Sequence, residues 1–208
     1  MAWLFGEKKF GQYTYEHWFD DEYKEYNGQK SKGAVTMQKE TISLFVQYNK
    51  SVNWKMNEII LTLDPEEWDK PLGGFFKSVR GLCSHIYIGD YNWLKRFKNL
   101  RSFKTMDDPF FNNNYSFRET IFENINDYIA KRPDLDNRII AFAAELTDAD
   151  MSGVLQYTDS EGKAHNRNFG ACLMQFLNHE THHRGMISLY LELLGKENDF
   201  SFFAMSQN

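Results

Sequence analysis

Cys172, Phe176, His179, His183, Met186, Ile187, Tyr190 and Leu194 recur at spacings of three and four, the stripe that a bundle helix turns toward its core. This predicts a long helix over residues 170–194, with Gly195 just past its cap. A second amphipathic run covers residues 75–99. In it Leu82, Ile86, Gly89 and Trp93 form an apolar line, flanked by a line of His85, Ile88, Asn92 and Lys95. A first helix is expected over residues 37–63, ending before Asp64-Pro65 because proline disfavours helical geometry in the residue ahead of it. After a polar loop at Asn112-Asn113-Asn114, Ser116 and Glu119 have capping-box spacing. They predict a helix that breaks at Pro133 and resumes over residues 134–146. Residues 154–158 and 163–167, joined by a turn at 159–162, read as a hairpin carrying a solvent-facing His165. The predicted fold is all-α, a four-helix bundle with a short β-hairpin before the last long helix.

Composition narrows the class without changing the fold. A chain of 208 residues fits one domain with a substantial core, and 16% aromatic residues can build a bulky interior and line a pocket. A net charge of −5 offers no basic face for phosphates, which argues against a nucleic-acid partner. No apolar run approaches the roughly 20 residues needed to span a bilayer, so no membrane partner is expected. The opening MAWLFG lacks a basic stretch and is a poor signal peptide. Cys83 and Cys172 are too few for a disulfide scaffold, and a cytoplasmic setting is the simpler expectation.

The candidate chemistry lies in residues 178–187, NHETHHRGMI, which hold three of the six histidines. His179 and His183 are one helical turn apart on one face, in line with the core stripe. Buried there, an imidazole needs a partner. The pair reads either as half of a transition-metal site or as a hydrogen-bonded core pair. His182 lies about 100° from His183 around the helix and is placed at the edge. Neither thiol suits this face. Cys83 lies about 200° around its helix from His85, and Cys172 about 10 Å along the axis from His179. Both read as small core residues. His85, beside an apolar stripe, would alone be read as a structural histidine.

Taken together the segments resemble the DinB family (DinB/YfiT-like metalloenzymes). YNKSVNWKMNEIILTLDPEEW at residues 48–68 is similar to its first helix and following turn. His85 with Asp90 and Trp93 resembles its second-helix signature, and LTDADM at 146–151 the end of its third helix. NHETHHRG at 178–185 is similar to its most specific motif, and LLGKENDFSFF to its usual ending. One departure is Met186, where the family commonly has glutamine. The family's usual start resembles MQKETISLFVQYN, so residues 37–208 are expected to form the bundle and residues 1–36 an extension. The extension is crowded with aromatics such as Trp3, Trp18 and Tyr23, too many for a disordered tail. It is expected to pack on the bundle; a lid or a homodimer contact is the alternative.

The resemblance implies a divalent metal, zinc or nickel, held by His85, His179 and His183. Asp90, Asn178 and His182 are candidates to orient those ligands. Arg184 is a candidate clamp for an anionic group, or a surface salt bridge. Some family members are thiol S-transferases or isomerases using low-molecular-weight thiols. The resemblance therefore implies thiol transfer to a small-molecule electrophile. Hydrolysis by metal-bound water and a non-catalytic metal-binding bundle, working in stress response as a dimer, are the alternatives.

Overall fold

Our computed structural model describes residues 38–203. The expectations for residues 1–36, and for a first helix starting at Met37, lie outside the described residues. Helix α1 (Lys39–Ile60) turns Ile42, Val46, Val52, Met56 and Ile60 inward, and carries Asn49, Asn53 and Asn57 buried among them. Where a plain turn was expected, Asp64 nucleates a short helix α2 (Pro65–Asp69). Its carboxylate accepts from the Glu67 amide, and Glu67 accepts from the Asp64 amide in return. Trp68 on α2 is then buried against Tyr128.

Helix α3 (Val79–Phe97) starts four residues later than the pattern suggested. Lys77 adopts a left-handed φ of 66°, which ends any helical path through Phe75 and Phe76. Ser78 then caps α3 by accepting from the Gly81 amide. The chain ahead of it doubles back, with the Leu72 amide bonded to the Lys77 carbonyl at 2.7 Å. Tyr190 Oη donates to the Gly73 carbonyl at 2.6 Å and ties this loop to the last helix.

The expected helix from Ser116 does not form. Glu119 does accept from the Ser116 amide at 3.1 Å, so half the capping box is present around a single turn. The chain then runs extended to bury Phe122 against Tyr87 and Tyr128, while Arg80 Nε binds the Phe122 carbonyl. Burial of that ring outweighs a local helix signal. Helix α4 (Ile125–Glu145) begins instead at Asn124, whose side chain accepts from the Asp127 amide, and it passes through Pro133 unbroken. The proline removes one backbone hydrogen bond. Arg132 and Asp136, an ion pair spanning it, hold the turns on either side together inside the core.

A hairpin follows, β1 (Val154–Thr158) antiparallel to β2 (Ala164–Asn168), pairing Tyr157 with His165. His165 is half-buried, not solvent-facing. Its ring stacks on Tyr157, and its Nε2 lies 2.7 Å from Asp159 Oδ2. Helix α5 (Phe169–Leu193) is capped by Asn168. It ends in a Schellman motif with Gly195 at φ 74°, the Lys196 and Gly195 amides bonding the Leu191 and Glu192 carbonyls.

The four long helices form the bundle. α1 packs mainly on α4 and α3 mainly on α5, with α3–α4 and α1–α5 contacts closing it. No helix among the described residues is long and apolar enough to cross a membrane. Because α3 and α5 lie side by side, a residue in the first half of α3 can face residues on either side of the middle of α5.

Candidate metal centre

That pairing brings His85 of α3 to His179 and His183 of α5. His85 Nε2 lies 3.1 Å from His179 Nε2 and 3.2 Å from His183 Nε2. All three residues are buried. Among the described residues, these are the three histidine, cysteine or carboxylate side chains whose ligand atoms converge within 4.8 Å of one another.

Hydrogen bonding alone does not account for this arrangement. A neutral imidazole Nε2 either donates once or accepts once, so the His85 nitrogen cannot be satisfied by two neighbouring ring nitrogens. A tetrahedral ion with nitrogens at about 2.0–2.1 Å would hold them roughly 3.3 Å apart, close to the spacing seen. The donor set therefore fits a zinc-like ion.

Electrostatics point the same way. Burial lowers the pKa of His85 to about 4, opposed by the nearby Phe117 backbone and reinforced by His182. Burial, then His85 and His182, lower His179 to about 3, and burial with its histidine neighbours drives His183 lower still. All three are thus neutral at physiological pH, the state a metal ligand requires. Phe76 from the loop before α3 packs on His85 at a ring separation of 4.3 Å, tilted by 35°, and stands edge-on to His183 at 5.2 Å. The Phe117 ring lies 6.3 Å from that of His85.

A DinB family profile matches residues 37–200. The chain belongs to the DinB family. No curated protein and no solved structure matched it. Within this DinB chain, Met186 packs half-buried against the apolar core.

The other sequence candidates separate. His182 is exposed, with its ring 4.8 Å from that of His183, and Asn178 is exposed on α5. Asp90 does not orient an imidazole: its Oδ2 accepts from Arg132, and its Oδ1 has no hydrogen-bond partner. Arg184 is neither a surface salt bridge nor open to a ligand. It is 2% exposed, bonded to Asn49 and set over the Tyr48 ring. The pairing follows from the helix: His179 and His183 are each followed by a charged residue, so Glu180 and Arg184 occupy the face beside the His179/His183 face.

Four residues of this interior, Arg132, Asp136, Asn53 and Glu180, escape the sequence reading. Arg132 bridges Asp90 and Asp136, and Asn53 also donates to Asp136 at 3.0 Å. Glu180 is 1% exposed, with neither carboxylate oxygen hydrogen-bonded and Arg184 Nη1 at 3.9 Å. Burial and the charge of Asp90 raise its pKa well above the ordinary carboxylate range. The signals were present. Asn49, Asn53 and Asn57 repeat every four residues in a core stripe, and His179-Glu180-Thr181-His182-His183 has H-E-x-x-H spacing. In helical zinc hydrolases with that spacing the glutamate serves as general base. Here Asp90, Arg132 and Arg184 are its main electrostatic neighbours.

The two cysteines stand apart from the triad. Cys83 is buried, and burial pushes its thiol far up, while Cys172 is raised to about 11 for the same reason. Cys83→Ser and Cys172→Ser should each leave the metal content of the purified protein unchanged by elemental analysis. An emptied site in either variant would contradict the three-histidine ligand set.

Proposed function

We propose that the chain is a divalent-metal enzyme, with zinc or nickel held by His85, His179 and His183, that transfers a low-molecular-weight thiol to a small electrophile. The observation that carries this is the convergence of three buried, neutral imidazoles without a carboxylate or a thiol of the protein's own. A divalent ion bound there supplies undiminished positive charge, which favours ionisation of a thiol or of water.

The surroundings favour the thiol. Both cysteines of the chain are buried elsewhere, so the sulfur has to come from a small molecule. Glu180, which H-E-x-x-H spacing would make the base for water attack, lies instead in the Asp90–Arg132–Arg184 cluster. Water needs such a base more than a thiol does, because a thiol already ionises near pH 8.5. Phe76 and Phe117 lie near His85 and give it apolar surroundings suited to an uncharged electrophile. In the reaction the thiol loses its proton, and its sulfur bonds to the electrophilic carbon as the leaving group departs. The reading places the enzyme in a reducing, cytoplasmic setting, with no nucleic acid or membrane as partner.

The test compares turnover of an electrophile panel with and without a small thiol, in metal-loaded, metal-stripped and His85→Ala protein. Turnover is expected to require both thiol and metal, and to fall to background in His85→Ala. Thiol-independent hydrolysis of esters or amides would identify a hydrolase instead. Metal binding with no turnover across the panel would identify a non-catalytic metal-binding bundle.

A further inference from the structure

Gly89 sits in the middle of α3, where glycine is a poor choice for a helix and alanine would be favoured. It lies one turn after His85, so the two share a face of the helix. A Cβ at position 89 would lie 2.6 Å from His179 Cε1, 3.2 Å from Nδ1 and 3.4 Å from Nε2. The Cε1 corner of the His179 imidazole therefore rests directly on the α3 backbone.

We propose that Gly89 is a positioning residue of this centre: its missing side chain leaves a notch in α3 that seats the His179 ring where its Nε2 can share an ion with His85 and His183. The seat itself follows from backbone geometry; its consequence for an ion rests on the metal reading of the triad. An added methyl has to displace the ring by about 1 Å to reach ordinary contact. The His179 and His85 Nε2 atoms, now 3.1 Å apart, would then separate. Ligand distances in a well-formed site lie within about 0.2 Å of their normal values, far less than this displacement.

Gly185 on α5 supplies an internal control, because a Cβ there meets nothing within 4 Å. Cobalt(II) titration of the full chain, read by its visible absorption, should show Gly89→Ala binding about tenfold more weakly or worse, with an altered spectrum. Gly185→Ala should match the wild type in affinity and spectrum. A second measurement needs no metal. Gly89→Ala should lower the melting temperature of the metal-free wild type but raise it in a His179→Ala background, where the ring is gone and only the helix preference remains.

Wild-type affinity and spectrum in Gly89→Ala would overturn the assignment. So would an equal loss of melting temperature in both backgrounds, or failure of the double variant to fold. If the wild type itself takes up no cobalt, the metal reading fails, and the melting cycle alone decides whether Gly89 seats His179.

Discussion

Arg132→Met is expected to remove about 3–5 kcal/mol of stability, a large share of what a domain of this size commonly has. Arg132 is 1% exposed, and its guanidinium donates to Asp90 on α3 and to Asp136 on its own helix. Methionine matches much of its length but leaves two buried carboxylates without a cation. Burial already raises Asp90 to about 6, against the downward pull of Arg132. Without that pull its pKa rises further above its unfolded value near 3.9. A carboxyl raised in this way costs stability above its folded pKa, and the cost is relieved as the pH falls through it. The penalty should therefore be largest near pH 8 and shrink toward pH 5. Urea unfolding of wild type and variant at both pH values measures it. Replacing Asp90 and Asp136 by leucine in the same chain should recover much of the loss, because what is costly is the unpaired charge. A loss below about 1 kcal/mol at pH 8 would mean that water reaches these groups.

The buried charge cluster and the histidine triad were not equally legible. His179 and His183 declare themselves by one-turn spacing within a core stripe, and Gly195 by its position after the last apolar residue. His85 has no such local signature; only its resemblance to a family pattern joined it to the pair. The cluster was hidden because KRPDLDNR at residues 131–138 reads as a solvated, proline-broken stretch. Only the approach of α3 and α1 makes an interior ion pair of Arg132 and Asp136. The same limit explains the missing helix at Ser116. A capping signal is local, whereas the burial of Phe122 that overrides it depends on Tyr87, far back in the chain. What sequence conveys least is close approach. Gly89 stood in an apolar line as one small residue among larger ones, and nothing marked the imidazole that needs the space.

Alanine at His85, His179 or His183 should weaken metal binding by more than the roughly 10–100-fold that loss of an outer-sphere partner costs, since each supplies a ligand atom. Saturating zinc should raise the melting temperature of the wild type and leave all three variants nearly unchanged, because binding to the folded state alone stabilises it. The pH dependence separates this buried site from a surface histidine cluster. In the folded chain His85 and His179 are held at about 4 and about 3, against an ordinary value near 6.5 in the unfolded chain. Between pH 6.5 and 4 the unfolded chain therefore binds more protons than the folded one. The stability this contributes is fully present above pH 6.5 and is lost as the pH falls toward 4. The metal-free wild type should accordingly lose more melting temperature between pH 7 and pH 5 than the alanine variants do, because the raised Asp90 carboxyl, common to all, acts in the opposite sense. Zinc affinity of the folded chain should change little over the same interval, because its imidazoles are already deprotonated there. Isothermal titration at pH 7, 6 and 5, beside melting curves of the metal-free protein, measures both. An affinity that falls steeply below pH 6.5 would mean the imidazoles titrate as if open to water. A melting temperature indifferent to zinc, in wild type and variants alike, would mean the triad is no metal site at all.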